Sequence, residues 1–277
     1  MHSRLSRALA VVVGPFLLIS ACSATDDAED PIRFEHIHGL DINPADDRLY
    51  VATHTGTYRL EDDGVPTRMG GHRDDFMGFR VVGPNKFIAS GHPATSDRPN
   101  PMGFIQSQDG GKTWEARSLE GRSDLHAIDA HATGTITAID STRNAVIQSD
   151  DQGRTWRDSW RRTHLIDIAA MPRSPRAFVA TRTDGIVTIV DGARERVVDD
   201  APALTYVDGT TDGTLAGLDT EGRVWVSLDA HGWAPAGGSV KGVPAAISVR
   251  GGTWYAATSQ GIYSSSDRGG SWKLLLT

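Results

Sequence analysis

Apolar positions along this chain fall in short runs, not in long helical stripes. Four of the runs share one shape: Leu49-Tyr-Val-Ala-Thr-His54, Lys86-Phe-Ile-Ala-Ser90, Ala177-Phe-Val-Ala-Thr-Arg182 and Trp254-Tyr-Ala-Ala-Thr258. Each follows another apolar stretch across a turn and ends in small residues. Short apolar runs bounded by turn residues read as strands. The 30 glycines strengthen that reading. The pattern predicts an all-β fold with many turns.

The turns repeat as well. Ser107-Gln-Asp-Gly-Gly-Lys-Thr-Trp114, Ser149-Asp-Asp-Gln-Gly-Arg-Thr-Trp156 and Ser265-Ser-Asp-Arg-Gly-Gly-Ser-Trp272 are three copies of S-x-D-x-G-x-[TS]-W, and Ser227-Leu-Asp-Ala-His-Gly-Trp233 is a decayed fourth. The carboxylate suits backbone N–H groups, Gly suits φ > 0, and the Trp can pack between neighbouring sheets. Asp109, Asp151 and Asp267 therefore read as turn staples on an outer rim, not as catalytic groups. Successive copies recur at about 40 residues, the length of one four-stranded propeller blade. Counting unmarked repeats, six begin near Phe34, Asp75, Asp124, His164, Ala203 and Val243. The prediction is a six-bladed β-propeller with Asp-box repeats over 34–277. The motif resembles the Asp-box (BNR) repeat of sialidase-like propellers, and the chain resembles bacterial Asp-box lipoproteins often labelled glycosyl-hydrolase-like.

The amino terminus breaks the strand pattern. Arg4 and Arg7 precede an apolar run from Ala8 to Ile19 that is too short to span a bilayer. Ile19-Ser-Ala-Cys22 resembles the bacterial lipobox, and Cys22 is the one cysteine of the chain. The resemblance implies a signal peptide over 1–21 and a diacylglycerol on Cys22. It also implies a lipid-anchored, extracytoplasmic location without disulfides. Residues 22–33 are small, polar and acidic and read as a flexible tether. The net charge of -7 gives no sign of a nucleic-acid surface.

In a propeller the entry to each blade's first strand and the exit from its second share one axial face. The entry positions read His36, Asp75, Asp124, His164, Ala203 and Val243. Two residues on they read His38, Met77, His126, Ile166, Thr205 and Ala245. The exits carry His54, His92, Asp140, Arg182, Asp219 and Ser259. Six of the ten histidines fall on these positions, five of them on blades 1 to 3. His72, His131 and His231 fall outside the pattern and read as surface histidines. The concentration of imidazole predicts a transition-metal site, and a thioether would favour copper. His36, His38 and His126 are the expected ligands, with Met77 as a soft ligand and His54 and His92 closing from above. Asp75 and Asp124 are placed to orient ring N–H groups. Met102 is placed to fold over the site. The alternative is a polar channel mouth that holds water.

Two further functional classes stay open. A two-carboxylate glycosidase would draw on Asp75, Asp124 and Asp140. Sialidase chemistry fits poorly, because it needs an arginine cluster. The chain reads Pro31-Ile-Arg-Phe34 where the family has Arg-Ile-Pro. Arg182 is the one arginine expected on the face, Arg80 should lie deeper in the channel, and Tyr206 should point away. An assembly module binding an envelope protein would need an exposed apolar patch, for which Phe76, Phe79 and Phe104 are candidates, with packing between blades as the other reading of Phe79, which alternates with Met77. The expected partners are the membrane, through the anchor, and a metal ion, a carbohydrate or an envelope protein.

Overall fold

The computed structural model describes residues 34, 36–210 and 212–277. The expected leader, Cys22 and the tether lie outside the described residues. Those described form 24 strands and no helix, arranged as six four-stranded antiparallel sheets. Each sheet uses four strands consecutive in sequence, over 37–68, 75–118, 125–161, 165–197, 204–239 and 244–276. The innermost strands are Ile37–Asn43, Asp75–Gly83, Leu125–Ala130, Leu165–Ala170, Leu204–Gly209 and Pro244–Ser248. They pack on one another in a ring, the last against the first. The molecule is a six-bladed β-propeller, with the blades where the repeats predict them.

Apolar seams between blades hold the ring. Tyr50 of blade 1 packs edge-on against Phe87 of blade 2 at 4.8 Å, and Phe79 meets the same ring at 5.6 Å. Burying such a side chain stabilises the fold by roughly 1.5–3 kcal/mol. Phe76, Phe79 and Phe104 belong to these seams. Their exposures are 0%, 6% and 0%, so they form no surface patch. Met102 is likewise buried in the seam with Met69 and Phe76, and does not fold over the axial face.

Ring closure uses packing. Among the described residues the first and last blades keep their own four strands, with no exchange between them. Leu40, Leu49 and Val51 of blade 1 pack on Ala246, Ala257 and Ile262 of blade 6, and Ser248 Oγ donates to Asp41 Oδ1 at 3.2 Å. Phe34 packs against the same seam, with its ring edge-on to Tyr58 at 5.0 Å.

The repeated motifs form one turn three times, between the third and fourth strands of blades 2, 3 and 6. In blade 3, Ser149 Oγ donates to Asp151 Oδ1 at 2.8 Å and accepts the Gly153 N–H at 2.9 Å. Asp151 accepts the Thr155 N–H at 2.9 Å and its hydroxyl at 2.7 Å. Those bonds hold its carboxyl at about 2, and the Ser271 and Ser265 bonds do the same for Asp267. Trp156 then packs on Phe104 of blade 2 at 5.2 Å. Gly153 has φ 77°, and a Cβ there would stand 2.0 Å from the Phe104 ring. The motif is a staple that also locks one blade to the next.

Candidate functional site

Every innermost strand carries a β-bulge near its start. The pairing skips His38, Met77, His126, Thr205 and Ala245 in blades 1, 2, 3, 5 and 6. In blade 4 it skips from Leu165 to Ile168. A bulge inserts one residue and re-aims its side chain. These are the positions two residues after each blade entry, so the insertions present one row of side chains at the channel mouth. Gly91 makes room for one of them. Its φ is 150°, and a Cβ there would stand 1.8 Å from the Asp75 carbonyl oxygen.

Three of the predicted residues converge closely. His38 Nε2, His54 Nδ1 and Asp75 Oδ1 all lie within 4.8 Å of one another. His38 Nε2 is 3.3 Å from His54 Nδ1 and 3.8 Å from Asp75 Oδ1, while His54 Nδ1 is 2.7 Å from that oxygen. Asp75 Oδ1 is nevertheless buried without a hydrogen bond among the described residues, because the contact lacks hydrogen-bond geometry. Asp75 therefore stands among the atoms that could hold an ion, one step nearer than the orienting role expected from its position. Burial, followed by the neighbouring His54, pushes His38 down to about 4, so its imidazole stays neutral. His36 flanks the group, with its ring 4.8 Å from that of His54 and stacked 6.4 Å from that of His38.

A second cluster lies on blades 2 and 3. His126 Nε2 is 2.6 Å from Asp124 Oδ2, His92 Nε2 is 3.5 Å from the same oxygen, and Ser141 Oγ donates to it at 3.0 Å. Burial would raise Asp124, but the His126 and Ser141 bonds outweigh it and hold the carboxyl below its usual range. The Asp124 bond in turn raises His126. His92 Nδ1 donates to Asn100 Oδ1 at 2.7 Å. The two clusters are built alike: the exit histidine of one blade meets the entry aspartate of the next. Met77 is half-buried on the strand between them. His164 is exposed at the entry to blade 4. Asp140 is fully buried and bonded to Arg143 at 2.6 Å, which leaves it no free surface for a substrate. Arg182 is paired with Asp184 at 2.6 Å.

Below the mouth lies a narrow channel cavity of about 60 Å³, lined by His38, His126, Arg80, Asp129, Asp167 and Tyr206 among others. Arg80 lies deep, as its position predicts. Its Nε is 2.9 Å from Asp129 and 3.5 Å from Asp41, and its Nη2 bonds Asp208. These aspartates occupy one position on blades 1, 3 and 5, and each also accepts a backbone N–H from the following blade: Val81, Ala170 and Val249. Arg250 adds a second cation, 2.6 Å from Asp129. The equal placement of Asp41, Asp129 and Asp208 in their repeats was the available signal for this network. Asp167 lines the channel and is raised to about 7 by burial, against two backbone N–H bonds and aided by the charge of Asp208. Tyr206, expected to point away, lines the channel too, because the bulge before it breaks the alternation.

No family model matches the sequence, and no curated protein does. Solved β-propellers do resemble it. A gluconolactonase from Xanthomonas campestris is 13% identical with a TM-score of 0.66, over 84% of this chain and 86% of that one. Virginiamycin B lyase from Staphylococcus aureus is 12% identical with a TM-score of 0.56, over 84% and 82%. YCF48 bound to a D1 peptide is 15% identical with a TM-score of 0.50, over 89% and 86%. Likeness at this identity establishes the fold and leaves function to the site.

Proposed function

We propose that this protein is a lipid-anchored, extracytoplasmic Asp-box propeller whose axial mouth binds a divalent transition-metal ion through His38, His54 and Asp75. The observation that carries the reading is the buried Asp75 Oδ1, which lacks a hydrogen bond and faces two imidazole nitrogens. A buried carboxylate oxygen without a partner is costly, and a cation at that point satisfies it. Two imidazoles and a carboxylate are a recurrent set for zinc, and Cu(II) binds most such sets more tightly. With Met102 in the core, the set is harder than a Cu(I) site requires. Three protein ligands leave room at a four-coordinate ion for water or the donor atom of a bound molecule. His36 flanks the site as a reserve ligand, and the His126–Asp124 pair faces the same mouth as a proton acceptor. The three bonded Ser–Asp–Gly turns support the Asp-box assignment, and Ile19-Ser-Ala-Cys22 supports the anchor.

The test is elemental analysis of the full chain purified from membranes, followed by titration with Cu(II) and Zn(II). One equivalent should bind. His54→Ala should weaken binding at least about 10-fold, and His131→Ala, outside the mouth, should leave it unchanged. Equal affinity in all three proteins would refute the assignment.

A further inference from the structure

Several cavities larger than the one below the histidine mouth lie elsewhere on the molecule. One, of about 410 Å³, lies between blades 2 and 3 on the face that carries the Asp-box turns. That size falls within the range of pockets that hold small ligands. Its walls come from positions the turn motif leaves free. Gln108 sits between the Ser and Asp of one motif, Gln152 between the Asp and Gly of the next, and Gln106 stands just before the first. Gln106 Nε2 donates to the Gln152 carbonyl at 3.2 Å, which ties the two walls together. The floor is apolar, made by Phe87, Ile88 and Ile136.

Two cationic side chains line the cavity. Lys86 lines one part of the wall, and Arg250 another. Arg250 commits Nη2 to Asp129 and to the Ala130 carbonyl, yet its Nε is buried without a hydrogen-bond partner among the described residues. Its Nε also lies 3.9 Å from Asp208, so Arg250 and Arg80 together face the carboxylates of Asp41, Asp129 and Asp208, and Lys86 is the cation of the wall without such a partner among the described residues.

We infer that this cavity binds a short peptide segment bearing a carboxylate, through the carboxamides of Gln106, Gln108 and Gln152 and the cations of Lys86 and Arg250. Each carboxamide offers a donor and an acceptor, which matches the alternating C=O and N–H of an extended backbone. The apolar floor receives one aliphatic side chain. An exposed lysine in the wall, with the partly exposed Arg250 side chain beside it, is suited to a carboxylate. Carbohydrate fits less well, because no aromatic face is offered to it: Phe87 is 1% exposed. The carboxylate has two possible sources, an acidic side chain or a chain terminus. This site stands apart from the ion site and does not depend on it.

Calorimetric titration of the full chain with three capped peptides tests this. Ac-Ala-Val-Glu-NH2 carries an internal carboxylate, Ac-Ala-Val-Ala-OH a terminal one, and Ac-Ala-Val-Ala-NH2 none. At least one of the first two should bind with Kd below about 1 mM, and the third at least about 10-fold more weakly. Which of the first two binds identifies the source. Lys86→Glu should lose at least about 10-fold in affinity, since Lys86 is exposed and its exchange leaves the fold intact. His54→Ala should bind as the wild type does. Absence of saturable binding by all three peptides, or equal binding by Lys86→Glu, would overturn the proposal.

Discussion

Two side chains in the channel respond to pH in opposite directions. Asp167 is raised to about 7 from an ordinary value near 3.8, so between these values the native state holds the extra proton. Stability from this group is full below 3.8 and is lost as pH rises to 7. His38 is lowered to about 4 from 6.5, so there the unfolded state holds the extra proton, and stability rises with pH across 4 to 6.5. In the wild type the two slopes offset one another. Asp167→Asn, which keeps an acceptor for the Val207 N–H, should leave only the rising slope. Relative to wild type it should gain up to about 1.4 kcal/mol per pH unit across the window, read from urea midpoints at pH 4.5 and 6.5. Parallel pH profiles would contradict the assignment. Arg80 is a simpler case. It neutralises aspartates from three other blades while fully walled in, so Arg80→Met should cost about 3–5 kcal/mol by leaving buried carboxylates unpaired. A loss under 1 kcal/mol would show that the network adds little.

At the scale of the element, the repeated Ser–Asp–Gly turn and the bulge do different work. The turn was legible in the chain, because its Ser, Asp, Gly and Trp are fixed by local bonding. Ser149→Ala should cost about 1–3 kcal/mol, since it strands the buried Gly153 N–H. Gly153→Ala should cost more, as it combines positive φ with a clash on Phe104. Thermal unfolding of both variants, with ion binding unchanged, checks the claim that the turn is structural. The bulges were not legible. A bulge depends on the partner strand and on glycines such as Gly91, neither of which alters the apolar pattern. Period-2 alternation still placed His36 and His38 on one side correctly, because the bulge lies between them and the rest of the strand. It failed for Tyr206, which follows a bulge. Met102, Phe76 and Phe104 were misplaced for a related reason: an insertion loop and two strands of blade 2 turn into the seams, and only tertiary packing decides that.

Over the whole molecule, the count of six blades followed from the repeat length, while the manner of closure did not. Closure rests on small and branched side chains of blades 1 and 6, which carry no motif of their own. Leu40→Ala, at 3% exposure in that seam, should therefore lower stability by about 2–5 kcal/mol without changing ion affinity. The propeller separates two faces, the imidazole mouth at one end of the channel and the glutamine-lined cavity beside the Ser–Asp–Gly turns at the other side of the blades. If Cys22 carries the anchor, Cys22→Ser should move the protein from the membrane to the soluble fraction with its ion content intact. The most direct test of the account is anomalous diffraction from crystals of the protein grown with Cu(II) or Zn(II). It predicts one strong peak about 2.0–2.2 Å from an imidazole nitrogen of His38, one of His54 and a carboxylate oxygen of Asp75. A structure with a well-ordered mouth and no peak there, or with its peak on other residues, would contradict it.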